Sequence, residues 1–197
     1  WELLTKAGYE IDFVSPKGGK APMDPESLDL KDPINKKFLD DETYKKKIEN
    51  TLKPKDVMPS DYVAIHYAGG HGTMWDFPNN VEIATIATRV YEANGIISAV
   101  CHGPAGLINL KLKDGSPLLH NKRATGFSNL EEQEVKLEKV VPFSLEYTMQ
   151  AKGVDFKKGE NWKPFVVVDQ RIVTGQNPQS ATQVAMAVLS ELYKFGK

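Results

Sequence analysis

The chain has 197 residues with 25 basic and 26 acidic side chains, a net charge of −1, and is 41% hydrophobic and 26% charged. At this length a fold buries roughly 70% of the surface its unfolded chain exposes, so neither disulfides nor metal are needed to hold a core. The balance excludes disordered, collagen-like and coiled-coil classes. The nearest approach to a basic patch, Lys45-Lys46-Lys47, is flanked by acids and gives a nucleic-acid partner no electrostatic support, and apolar runs such as Val184–Leu189 are too short to span a bilayer.

Trp1, Leu4 and Ala7 recur at three-residue spacing ahead of Gly8, which predicts the end of a helix. Tyr9–Val14 alternates apolar and polar residues, as a strand does. A domain rarely opens in mid-helix, so further residues are expected upstream of Trp1. Residues 15–60 are rich in Pro, Gly, Asp and Lys and read as loops with a short helix or two around Phe38 to Leu52. Tyr62–Tyr67 is a nearly continuous apolar run that ends in Gly69-Gly70-His71-Gly72, a buried strand feeding a tight turn. Val81–Asn94 carries Ile83, Ile86, Ala87, Val90 and Tyr91 at helical spacing, with Asn80 as N-cap and Gly95 as stop. Ile96–Val100 is a second buried strand, which completes a βαβ unit and implies a parallel sheet. Lys122–Thr125, Phe165–Val168 and Arg171–Thr174 are further strands, the last two as a hairpin. Helices are expected at Asn129–Lys139, Phe143–Lys152 and Ser180–Phe195. The class is α/β, with a mostly parallel sheet and helices on both faces.

The run Ile96-Ile97-Ser98-Ala99-Val100-Cys101-His102-Gly103-Pro104-Ala105-Gly106 carries the chemistry. A buried strand leads into Cys101, and Gly103 and Pro104 start a helix. A strand–nucleophile–helix turn lifts its side chain above the carboxyl ends of the strands, where open parallel sheets place their sites. The free N–H groups of the helix start are expected to lower the thiol pKa from about 8.5 toward 7 and to stabilise an oxyanion. The bland alternative is a small buried hydrophobe. Gly70 and His71, at the end of the neighbouring strand, form the other half of an oxyanion or substrate-binding site, or else a plain tight turn. As the lone cysteine, Cys101 has no disulfide partner, and a reducing, cytoplasmic setting is the simplest expectation.

Tyr67-Ala68-Gly69-Gly70-His71-Gly72-Thr73-Met74-Trp75-Asp76-Phe77-Pro78 and Ala99-Val100-Cys101-His102-Gly103-Pro104 resemble the ThiJ/PfpI superfamily. More narrowly, they are similar to its heat-shock-chaperone and glutathione-independent glyoxalase branch. Thr125-Gly126-Phe127-Ser128-Asn129-Leu130-Glu131-Glu132 and Val173-Thr174-Gly175-Gln176-Asn177-Pro178 extend the likeness along essentially the whole chain. The resemblance implies a flavodoxin-like three-layer sandwich of the class I glutamine-amidotransferase-like kind, with Cys101 as elbow nucleophile and His102 beside it. It also implies a homodimer, and it places the acid of a Cys-His-acid triad on Glu132. Asn129-Leu130-Glu131-Glu132 reads equally as a helix cap with Glu132 at the third position. Relatives carry a further acid/base glutamate on the first helix, which would lie before Trp1. The chain is thus expected to be one domain over 1–197 that lacks its N-terminal strand and part of its first helix.

The implied activity is conversion of methylglyoxal to lactate by a cysteine enzyme, without glutathione or any other cofactor. Its partner is a small reactive carbonyl, with removal of early glycation adducts as a related reaction. Alternatives are a holdase chaperone for unfolded proteins with Cys101 as an oxidation sensor, and a peptidase or amidase on the same elbow. His66, His71, His102 and His120 show no ligand spacing such as His-Glu-x-x-His, so no metal is expected. His66 is expected to be a hydrogen-bonded core histidine and His120 to face solvent.

Overall fold

The computed structural model describes residues 1–196, with Glu26 described by its backbone alone. The chain divides into two compact units, Trp1–Met58 and Pro59 onward. In the first unit, helices α1 (Glu2–Lys6), α2 (Pro33–Asp40) and α3 (Glu42–Glu49) surround an aromatic cluster. Trp1 meets Phe38 and Tyr44 edge-on at centroid distances of 5.3 and 5.4 Å. The short helix or two expected near Phe38–Leu52 are two, α2 and α3, separated where Asp41 turns extended and caps α3, accepting hydrogen bonds from the Thr43 and Tyr44 amides.

The strand expected over Tyr9–Val14 does not form. Only Val14 bridges to Leu52, and the Ile11 carbonyl is taken by Lys47 Nζ at 2.8 Å rather than by a partner strand. Alternation there places side chains, Phe13 among the aromatics, without a ladder to satisfy the backbone.

The second unit holds a four-stranded sheet in the order β1-β2-β6-β5: β1 (Ala64–Tyr67), β2 (Ile96–Val100), β5 (Val166–Asp169) and β6 (Ile172–Gly175). β1 and β6 both run parallel to β2, and β5 closes against β6 as the antiparallel hairpin expected from the sequence. A parallel two-stranded pair, β3 (Arg123–Ala124) and β4 (Asp155–Phe156), forms its own small sheet, with β3 packed beside β5. With two residues each, these strands are too short to show alternation. Helices α4 (Thr73–Asp76), α5 (Val81–Glu92), α6 (Asn129–Glu134), α7 (Leu145–Ala151) and α8 (Ala181–Lys194) complete the unit.

Alternation along the strands sorts the core onto two faces. Ile97, Ala99 and Ile172 join a cluster with Ile83, Ala87 and Tyr91 of α5. The alternate residues Ile96 and Val173 are buried outside that cluster, where α8, which packs on β2 and β6, supplies Val184, Val188 and Leu192. The sheet is therefore covered on both sides, and the carboxyl ends of β1 and β2 emerge side by side. That is where the chemistry-bearing residues collect.

Candidate active site

Cys101 follows β2 directly and adopts φ 59°, a left-handed conformation that a side-chain-bearing residue reaches only under tertiary constraint. Two backbone hydrogen bonds hold it there: its amide donates to Gly175 O at 2.9 Å, and its carbonyl accepts from the Phe127 amide at 2.8 Å. Glycine is required on both sides of the elbow. A Cβ at Gly103 would sit 2.3 Å from the Tyr67 carbonyl oxygen, and one at Gly69 would sit 2.8 Å from Cys101 Cβ.

The sulfur lies 3.3 Å from His102 Nδ1. His102 is fully buried, and its Nε2 lies 2.7 Å from Glu132 Oε2. The other oxygen of that carboxylate, Oε1, lies 2.7 Å from His71 Nε2. One carboxylate thus bridges two imidazoles whose ring centroids are 4.1 Å apart. Burial would raise the Glu132 carboxyl, but hydrogen bonds from His102 and His71 outweigh it and hold the group down at about 2. An ionised carboxylate only accepts, so both Nε2 atoms carry protons and donate. His102, kept neutral by burial and by His71 against the pull of Glu132, therefore turns an unprotonated Nδ1 toward the thiol.

The thiol differs from the expectation drawn from the sequence. Burial pushes it up to about 12, with the backbone N–H groups of Gly70 and His102 offsetting only part of the rise. Little opposes that burial: Gly103–Gly106 forms a single 3₁₀ turn, whose few aligned peptides give much less positive potential than a full helix start. Cys101 rests as a neutral thiol beside a base.

Glu132 and Glu131 divide the roles that the sequence left overlapping. The cap of α6 is Ser128, one residue earlier than expected, and its partner at the third position is Glu131, so the capping box bypasses Glu132. Glu131 is fully buried and accepts from the Ser128 amide and hydroxyl, the Trp162 amide and the Asn177 side-chain amide. α6 stops at Glu134 rather than near Lys139, because the chain enters a left-handed conformation at Lys136.

The structure brings together all the residues singled out: Cys101, His102 and Glu132, with Gly70 facing the sulfur and His71 on the far carboxylate oxygen. His71 commits Nε2 to Glu132, which leaves its other ring nitrogen for a ligand. His66 is hydrogen-bonded as expected, with Nδ1 2.7 Å from Ser98 Oγ, yet it is exposed rather than in the core. His120 faces solvent. Two aromatic residues of the site went unforeseen. Phe127 lies 4.4 Å from the His102 ring and 5.6 Å from Trp162, so it braces the imidazole from the side. A surface cleft of about 1150 Å³, lined among others by Asn80, Thr88, Ile108 and Lys113, includes none of the bridged residues.

A sequence model of the DJ-1/PfpI family matches residues 1–191. The chain is 32% identical to the glutathione-independent glyoxalase HSP31 of Saccharomyces cerevisiae, covering 98% of this chain and 85% of that protein. Among solved structures, glyoxalase III of Candida albicans superposes with a TM-score of 0.86 at 34% identity, over 96% of this chain and 83% of that one. The Rapid Encystment Protein 24 kDa of Francisella tularensis superposes with a TM-score of 0.90 at 45% identity, over 94% and 82%.

Proposed function

The chain belongs to the DJ-1/PfpI family, and from that membership we propose that it is a cysteine-dependent, glutathione-independent glyoxalase that converts methylglyoxal to lactate. The observation that carries the reading is the hydrogen-bonded series Cys101 Sγ, His102 Nδ1, His102 Nε2, Glu132 Oε2, at 3.3 Å and 2.7 Å. It sits in a chain whose relatives include named glutathione-independent glyoxalases.

As the thiol adds to the aldehyde carbon, its proton passes to His102 Nδ1, and a carbon–sulfur bond forms. Glu132 stabilises the imidazolium that results. The aldehyde oxygen, now negative, lies within reach of the backbone N–H groups of Gly70 and His102 and takes the proton back from His102, giving a hemithioacetal. His102 next removes the hydrogen of the former aldehyde carbon as a proton, leaving an enediolate; the proton returns to the neighbouring carbon while the hydroxyl proton passes from the first oxygen to the former ketone oxygen. The product is a lactoyl thioester on Cys101. Water adds its hydroxyl to the acyl carbon and a proton to the sulfur, the carbon–sulfur bond breaks, and the thiol is restored, so methylglyoxal plus water gives lactate and a proton. A neutral resting thiol suits this sequence, since the nucleophile is made only as the base takes its proton.

The test is to mix protein and methylglyoxal, quench in acid within the first turnover, and weigh the intact chain. The lactoyl thioester and the hemithioacetal before it have the same mass, so the quenched chain is also treated with hydroxylamine; an adduct on Cys101 that leaves as the hydroxamate, and none on Cys101→Ala, is the expected result. Lactate released with no adduct on Cys101 at any time would remove the thiol from the chemistry.

A further inference from the structure

Three side chains that lie far apart in the sequence converge on one point. His71 comes from the turn after β1, His102 from the elbow after β2 and Glu132 from α6. Two imidazole nitrogens and a carboxylate oxygen, one from each residue, lie within 4.8 Å of one another. This nitrogen–nitrogen–oxygen set is the donor chemistry that zinc and similar borderline divalent cations take. No sequence spacing reveals it, because each ligand sits on a different connection of the fold.

We propose that His71, His102 and Glu132 form a binding site for a zinc-class divalent cation, and that the bound ion switches the enzyme off. The regulatory half of this rests on the catalytic reading above; the binding half does not.

Local charge favours a cation. Glu131 and Glu132 are adjacent and nearly or fully buried. Among the described residues no Lys or Arg pairs with either: Glu132 meets only the two histidines, and Glu131 meets only Ser128, Trp162 and Asn177. Glu131, with its oxygens taken, supplies negative potential rather than a ligand. Both Nε2 atoms sit 2.7 Å from a carboxylate oxygen, each from a different one, and the donor atoms lie within 4.8 Å of one another. Ligand atoms around a tetrahedral zinc ion stand roughly 3.3 Å apart for bonds of about 2.0–2.1 Å, so binding opens the two short contacts and draws the wider pairs together by side-chain rotation. His102 is already oriented, with Phe127 against its ring and the sulfur on its opposite nitrogen, the outer support that a ligating histidine requires. The His71 side chain is 28% exposed, which gives the ion a way in and leaves the fourth position to water.

Cys101 is not a ligand in this arrangement, because its sulfur faces Nδ1 while the ion takes Nε2. The effect on catalysis follows from that separation. With the ion on Nε2, the single proton of the neutral ring resides on Nδ1 and points at the sulfur. The ring then has no lone pair with which to accept the thiol proton or the substrate hydrogen, and turnover stops.

The test titrates zinc chloride into the full chain carrying Cys101→Ala, followed by calorimetry, so that thiol chemistry is absent. The expected result is one ion per chain, with affinity falling tenfold or more when His71→Ala is added. His71→Gln, which keeps a polar side chain without an imidazole, repeats the comparison should the alanine variant lose its fold by circular dichroism. In the unsubstituted protein the same zinc concentration should halt lactate formation, and EDTA should restore it. Absence of binding, or binding equally tight with and without His71, overturns the site. Zinc bound at His71 with lactate formation unimpaired overturns the switch. If zinc-free protein forms no lactate, the catalytic reading fails and the switch falls with it, while the calorimetry still decides the site.

Discussion

Cys101→Ala is expected to lower the rate of lactate formation roughly a thousandfold or more, because no other group can form the carbon–sulfur bond on which the sequence of steps depends. Stability should barely change. Alanine loses only a sulfur from a position already pinned by backbone hydrogen bonds to Gly175 and Phe127, and the strained φ of 59° is equally demanding for both residues. Cys101→Ser is expected to be nearly as inactive despite keeping a donor toward His102, since a hydroxyl is a much poorer nucleophile and leaving group than a thiol. Loss of activity with an unchanged melting temperature separates chemistry from folding. A variant that retained half the wild-type rate would show that the buried cysteine is a core residue and nothing more.

Glu132→Gln carries the second large effect, a loss of about a hundredfold to ten-thousandfold in kcat. The carboxylate accepts from both imidazoles at once, at 2.7 Å each. An amide of the same shape accepts with one end and donates with the other, so it cannot satisfy two N–H groups. One histidine must reverse its tautomer, and where that is His102 the ring presents a proton to the sulfur. Even when His102 keeps its tautomer, the negative charge that stabilised its imidazolium is gone, and Glu132 is what sustains the basicity of His102 against burial. Glu131→Gln is the informative contrast. Its oxygens hold the cap of α6 and the Trp162 backbone, so the variant should lose stability first and activity only as the fold loosens. Parallel kcat and urea-denaturation measurements on both variants check this division. Equal kcat losses at Glu131 and Glu132 would contradict it.

How much of this was legible in the sequence depended on whether the signal was local. The bounds of β2 at Ile96–Val100 were readable because a buried parallel strand is a continuous apolar run between Gly95 and the elbow. The antiparallel hairpin of β5 and β6 was readable from the short polar break, Asp169-Gln170, between two runs rich in β-branched residues. Tyr9–Val14 misled because alternation reports where side chains point and not whether a partner strand exists. α6 was over-extended because a left-handed residue such as Lys136 leaves no mark in composition. Cys101, His102 and Glu132 could be named through resemblance and motif, yet the division of labour between Glu131 and Glu132 could not. It turns on whether Ser128 or Asn129 caps α6, a shift of one residue. The raised thiol is not legible for a related reason: its burial is set by tertiary packing, and Gly-Pro after the nucleophile announces a helix start but not that it ends after four residues. The Phe127–Trp162 wall and the bridge through His71 are products of tertiary convergence alone.

Conversion of methylglyoxal to lactate without glutathione is decided by carbon-13 NMR of labelled methylglyoxal incubated with the purified protein, free of glutathione and with EDTA present. The lactate signal is expected to grow in proportion to enzyme concentration, with neither glutathione nor metal increasing its rate. Methylglyoxal that persists unchanged, or lactate that forms only once glutathione or a metal ion is added, would show that the chain does not carry this reaction.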